Sequence, residues 1–269
     1  SGSANSIAIG NGAQACNSIA IGSGSISCGS SSAAFGNASC ATGNSSTALG
    51  CGAKAFGNYS VALGDNACAL QNNAMALSNG AFANGSSAIA IGLNNEAIGT
   101  KATAINGTAC GSGSVAIGSG AFVNGSTNIA IGCNAQTTNN FDGIAVGRIS
   151  RAGLRSTSIG CNSYTTALGV AIGNDARACS TGSIAIGRSA GNSSGTINTA
   201  FVSIGYNANN GSANIGQSSV AIGVNNCSIG NCSISIGRQS EAVGINSIAV
   251  GTRSCSQTGT AFGVDSYSN

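Results

Sequence analysis

"NSIAIGNGAQACNSIAIGSGSISCG", residues 5–29, contains the phrase Ser-Ile-Ala-Ile-Gly twice. Each copy is followed, six residues after its glycine, by a cysteine, so Cys16 and Cys28 stand in the same phase. Aligning the chain on this phrase gives nineteen copies, whose central positions run from Gly10 to Gly263 at intervals of about 14 residues. The residue before the glycine is Ile, Leu, Val or Phe in every copy. The one before that is Ala in sixteen copies and Ser in three (Ser158, Ser203 and Ser235). The glycine itself is replaced only at Ser78 and Asn106. Repetition at this period decides the fold before any local reading does.

Each repeat has a weaker second half, complete in "GCGAKAFGNYSVALG", residues 50–64, where Gly57 falls midway between Gly50 and Gly64. Alternation of Ile or Val with Ala over four residues is a strand signal. Helix is excluded, since glycine at every seventh position costs about 1 kcal/mol each relative to alanine. Two short strands per repeat describe an all-β fold, a parallel β-solenoid of about 19 coils. Each coil adds a rung of roughly 4.8 Å, for a rod on the order of 90 Å. Ile7, Ile9 and their equivalents are expected to point into the coil, and the alanines between them outward. Residues 1–269 read as one elongated domain, with loop insertions expected at 133–158 and 188–220, where the spacing loosens.

Composition agrees. Charged residues are 6% of the chain, and Pro, Trp and His are absent, against roughly 25% charged in ordinary soluble domains. The apolar 42% comes largely from Ala, Ile and Val, which suit a thin core. Regular β-branched residues argue against disorder, and no apolar run approaches the roughly 18 residues of a membrane span. No signal peptide is visible at Ser1. Net charge is +3, and all seven arginines follow Gly147, so any polyanion contact is expected in the second half.

The phrases "NSIAIGNGAQACNSIAIG" (5–22) and "SVAIGSGAFVNGSTNIAIG" (114–132) resemble the head repeats of trimeric autotransporter adhesins, the YadA-like head family, which also occur in viral and phage fibres. The resemblance implies a left-handed parallel β-roll in which three chains pack side by side. It also implies attachment of a cell or particle surface to a host surface, a matrix protein or a glycan. Twelve cysteines depart from the family pattern, as does the lack of any heptad or neck. The repeat runs nearly from end to end with no capping element, so exposed strand edges suggest a segment of a longer fibre or ends covered by other copies.

Among candidate sites, twelve cysteines with no His and no C-x-x-C do not read as a metal centre. Cys16 and Cys28 are the first candidate disulfide, since stacked rungs bring Cα atoms to about 4.8 Å. The competing reading is that cysteine is here a small, buried apolar residue. No base is available to activate a thiol or serine, the acids are scattered, and the glycines of "GNGAQA" and "GSGSIS" read as repeat turns, not phosphate loops. No enzyme activity and no cofactor are expected. Arg148, Arg151, Arg155, Arg177 and Arg188 form a candidate polyanion-binding patch, with nucleic acid disfavoured by the lack of aromatic interleaving.

The leading function is an adhesive surface fibre, extracellular or on a virion, homotrimeric and acting by many weak contacts. The alternative is a self-assembling extracellular filament or virion fibril subunit. Ice binding is the weakest reading, because Thr47, Thr103, Thr157 and Thr260 share a phase without occupying adjacent coils.

Overall fold

The computed structural model describes residues 5–138, 141–191, 200–209 and 215–269. It is a parallel β-solenoid without helix among these residues. The chain divides into two compact units, Ser1–Ile131 and Gly132–Asn269. In each, a coil contributes one three-residue strand, such as Ile19–Ile21, and one two-residue strand, such as Ile26–Ser27. Paired strands run parallel to their equivalents one coil on. In the first unit Ala48 lies beside Ala62, and Ala62 beside Ala76.

The turns explain the polar composition. After many of the central glycines the chain closes a four-residue turn, as in Ser25 N–H to Gly22 O (3.2 Å) and Ser39 N–H to Gly36 O (3.3 Å). The third residue of that turn is left-handed, as is one residue in the turn at the other end of the coil. Asn66, Asn94, Asn134 and Asn162 fill the first position, and Asn17, Asn73 and Asn246 the second. Asn tolerates positive φ better than other side chains, so the Asn-rich text encodes the corners of the coil.

The orientation of the long strands is the reverse of the expectation. The alanines face inward: Ala20, Ala62, Ala90, Ala130, Ala171 and Ala221 are fully buried, whereas Leu63 remains 43% exposed and Ile172 37% exposed. A regular coil turns four small residues into its interior. In one coil of the first unit these are Ser60, Ala62, Ala67 and Ala69. A coil of about 14 residues encloses too little space for two ranks of Ile, and only Ala- or Ser-sized groups fill it without overpacking.

Buried serines require partners, and most find them across the coil or in the turns. Ser27 and Ser32 share a hydrogen bond of 2.7 Å, Ser228 and Ser233 one of 2.6 Å, and Ser235 and Ser240 one of 2.7 Å. Ser46 Oγ donates to Gly43 O at 2.7 Å. These bonds tie the two strands of a coil together, where an alanine would offer contact alone.

The irregular regions have local causes. Near 133–158 the register steps unevenly: Gln136 pairs with Arg151, but Ile144 pairs with Thr157 and Thr157 with Val170. Farther on, Ile184 pairs with Val202 and Val202 with Val220, so these coils are longer. The insertions expected within 188–220 fall partly on 192–199 and 210–214, outside the described residues. The wider coils accommodate Phe201, buried with Ala185, Ala190 and Ile215. Where Asn106 replaces the repeat glycine, Asn95 is buried in the core. Its Oδ1 accepts from Gly107 N–H (2.8 Å) and its Nδ2 donates to Ala104 O (2.5 Å), supplying what the lost turn would have satisfied.

Candidate functional site

The coil presents two outward faces. On the long-strand face, rows of Ile, Val and Leu stand half exposed: in the first unit Val61 and Leu63 flank Ala62, and in the second Val170 and Ile172 flank Ala171. Exposed apolar surface repeated coil after coil is uncommon on a solitary soluble chain and marks an interaction face. On that face Thr47 lies between Ala33 and Val61, so it does not stack on another threonine.

The short-strand face is chemically mixed. In the first unit one of its rows reads Gln14, Ile26, Cys40, Lys54, Cys68, Phe82 and Glu96 from coil to coil. All twelve cysteines are exposed or half exposed, so cysteine is not core filler here. Four are kept from pairing along a row by an intervening charge: Lys54 stands between Cys40 and Cys68, and Glu241 between Cys227 and Cys255. Arg148 Nη2 donates to Cys161 Sγ at 3.3 Å.

Cys16 and Cys28 differ. They follow the paired Ala15 and Ser27, and their sulfurs are in contact at 3.1 Å, as two thiols. The hydrogen bond with Cys16 foremost, and then partial burial, pushes the Cys28 thiol above its ordinary range. Incubation with a small disulfide reagent is expected to link them by exchange. One thiolate attacks the reagent and releases one small thiol; the second cysteine then resolves the mixed disulfide and releases another. Peptide mapping should find the Cys16–Cys28 link, formed faster as pH rises because the reactive thiolate is scarce near neutrality. An unchanged thiol count after prolonged exposure would remove the staple from consideration.

The five candidate arginines do not form one row. Arg155 faces Asp142 across 4.0 Å in a fully solvated pair. Arg188 stacks 4.9 Å from the Tyr206 ring and donates to its hydroxyl at 3.2 Å. Arg148 is turned to Cys161. Only Arg151 and Arg177 share the short-strand row, and Tyr164 stands between them in register. The tyrosine was not among the sequence candidates, although it too lies four residues after a repeat glycine.

Two clefts open beside Tyr164. One, about 250 Å³, is lined by Asn162, Tyr164, Arg177 and Cys179; the other, about 410 Å³, by Gln136, Thr138, Tyr164 and Thr166; Arg151 borders both. A larger cleft in the first unit, about 600 Å³, is uncharged and lies over Asn95, Asn106 and Phe122. Among the described residues no group of three His, Cys, Asp or Glu side chains gathers as a metal would require.

Residues 41–67, 167–190 and 229–254 match the family profile described as "YadA head domain repeat (2 copies)". No curated protein matches the chain.

Proposed function

Because its coils carry the YadA head repeat, we propose that this chain is a structural and adhesive segment of an extracellular surface fibre. It assembles as a homotrimer and acts by repeated weak contacts, not by catalysis. The observation that carries this reading is the long-strand face. Its Val, Ile and Leu rows need cover, and a face that repeats along the coils is matched by the same face on another copy of the chain. The trimeric habit of the family supports three copies. With those rows turned inward in the trimer, the mixed short-strand rows face outward, where contacts with a matrix protein or glycan add up through multivalency.

Sedimentation of the purified chain tests assembly, and attachment of chain-coated beads to cell surfaces tests adhesion. A trimer is expected, and Ile172→Asp combined with Ile186→Asp is expected to yield monomers that keep their strand signal. Continuous filaments in electron micrographs would favour the self-assembling fibril instead. Wild-type beads that attach to no surface would overturn the adhesive reading.

A further inference from the structure

We propose that Arg151, Tyr164 and Arg177 form a binding site for an acidic sugar, one that accepts a short stretch of a sulfated or carboxylated glycan lying along the short-strand face. The inference deepens the adhesive reading and rests on it only in taking the ligand to belong to another surface.

The first observation is the row itself. Parallel register places Arg151, Tyr164 and Arg177 on three successive coils. With rungs about 4.8 Å apart, the two arginine backbones are roughly 10 Å apart with Tyr164 midway. That is the span of about two sugar rings. The second is an orphan donor: Arg177 Nε is buried and has no hydrogen-bond partner among the described residues. A buried guanidinium N–H left unpaired is costly, and a turn of the Arg177 side chain into the cleft that it lines would bring that N–H to a bound anion in the planar, charge-assisted geometry that carboxylates and sulfates match.

The third observation is charge. The ion pairs among the described residues engage Arg155 and Arg253, so neither Arg151 nor Arg177 is neutralised by a carboxylate. The nearby Asp175 is held by Asn162 Nδ2 at 2.7 Å. Burial, opposed by Arg177, pushes the Cys179 thiol upward, so the wall of the smaller cleft carries no competing thiolate at neutral pH.

The remaining lining decides the class of ligand. Gln136, Thr138 and Thr166 in one cleft and Asn162 in the other offer amides and hydroxyls. Such groups exchange hydrogen bonds with a polyhydroxylated ring, while the exposed Tyr164 ring offers a flat face to its C–H groups. A single-stranded nucleic acid would need stacking platforms for successive bases and a continuous basic track. These three coils carry one aromatic residue between two arginines.

The test is calorimetric titration of the full chain with three disaccharides: one sulfated, its desulfated uronic-acid counterpart, and a neutral one. A single-stranded oligonucleotide serves as the fourth probe. The sulfated and carboxylated sugars are expected to bind and the neutral one not, and the stronger of the two acidic arms identifies the anion. Arg177→Gln and Arg151→Gln should each weaken binding about tenfold or more, as for loss of a charge-assisted hydrogen bond. Tyr164→Ala should weaken it as well, while Arg238→Gln, on a different row, should not. Melting curves of the variants verify that the coils remain intact.

The proposal is overturned if the neutral sugar binds equally well, if the oligonucleotide binds more tightly than any sugar, or if Arg238→Gln costs as much as Arg177→Gln. Bead attachment separates it from the adhesive reading. Wild-type beads that attach as well as Arg177→Gln beads refute this site and leave adhesion standing, whereas wild-type beads that never attach refute adhesion itself.

Discussion

Gly50→Ala is expected to destabilise the first unit by about 3 kcal/mol or more, whereas Gly113→Asn in the same unit should be close to neutral. The two glycines do different work. Gly50 has φ +139°, a conformation that L side chains rarely adopt, and an added Cβ would collide with the backbone carbonyl of Gly64 one coil on. That carbonyl belongs to the stacked backbone and cannot move aside without displacing the coils beyond it. The same arrangement recurs up the stack, where a Cβ on Gly36 would strike Gly50 and one on Gly64 would strike Ser78. The repeat glycine therefore lets coils approach along their whole corner. Gly113 has φ +65°, and a Cβ there would meet only a methyl of Thr127 at 3.8 Å; Asn73 and Asn246 hold equivalent corners at φ 57° and 59°. Urea unfolding with matched slopes would measure the contrast. If Gly50→Ala unfolds at the wild-type midpoint, the close-approach account of the repeat glycine is wrong.

This asymmetry also shows how much of the molecule could be read from its text. Glycine at a fixed interval, preceded always by a branched or aromatic apolar residue, implies short strands and tight turns, and only a solenoid stacks such units in parallel register. The direction of the side chains was not legible from alternation, because Ile-Ala-Ile places apolar groups on both faces and a period of two does not say which is buried. The discriminating signal was size. The middle slot admits only Ala or Ser, while its neighbours range through Ala33, Thr47, Val61, Met75 and Phe35. A slot that tolerates such variety is surface, and one confined to the smallest side chains is core.

The candidate site followed the same logic. Grouping arginines by closeness in sequence joined five residues that the coil separates. Grouping by distance from the repeat glycine would have put Arg151, Tyr164 and Arg177 in one rank, each four residues on. What no spacing reveals is the buried, unpartnered Arg177 Nε, which depends on how neighbouring coils cover the side chain.

The reversed packing makes the second large prediction, Ala62→Leu set against Leu63→Ser. Ala62 is fully buried between Ala48 and Ala76 in a core otherwise lined by Ser60, Ala67 and Ala69. A leucine there adds three carbons to a space with none to spare, and overpacking of a rigid core typically costs about 1–3 kcal/mol, with more expected where the wall is backbone. Leu63 is 43% exposed on the single chain, and substitutions at such positions usually shift stability by less than about 0.5 kcal/mol. A monomeric background, such as Ile172→Asp with Ile186→Asp, isolates the coil from its assembly. In that background Ala62→Leu should unfold at clearly lower urea while Leu63→Ser unfolds with its parent. In the wild-type background the order changes for association, because Leu63 belongs to the face proposed to meet other copies, so Leu63→Ser is expected to weaken the proposed trimer without loosening the coil. An inward-pointing Leu63 would produce the opposite pair of results: a cavity penalty of about 2–5 kcal/mol for its truncation in the monomer, and indifference at position 62. The two substitutions are adjacent in sequence and opposite in consequence, because a core one methyl deep leaves its larger apolar side chains to the surface.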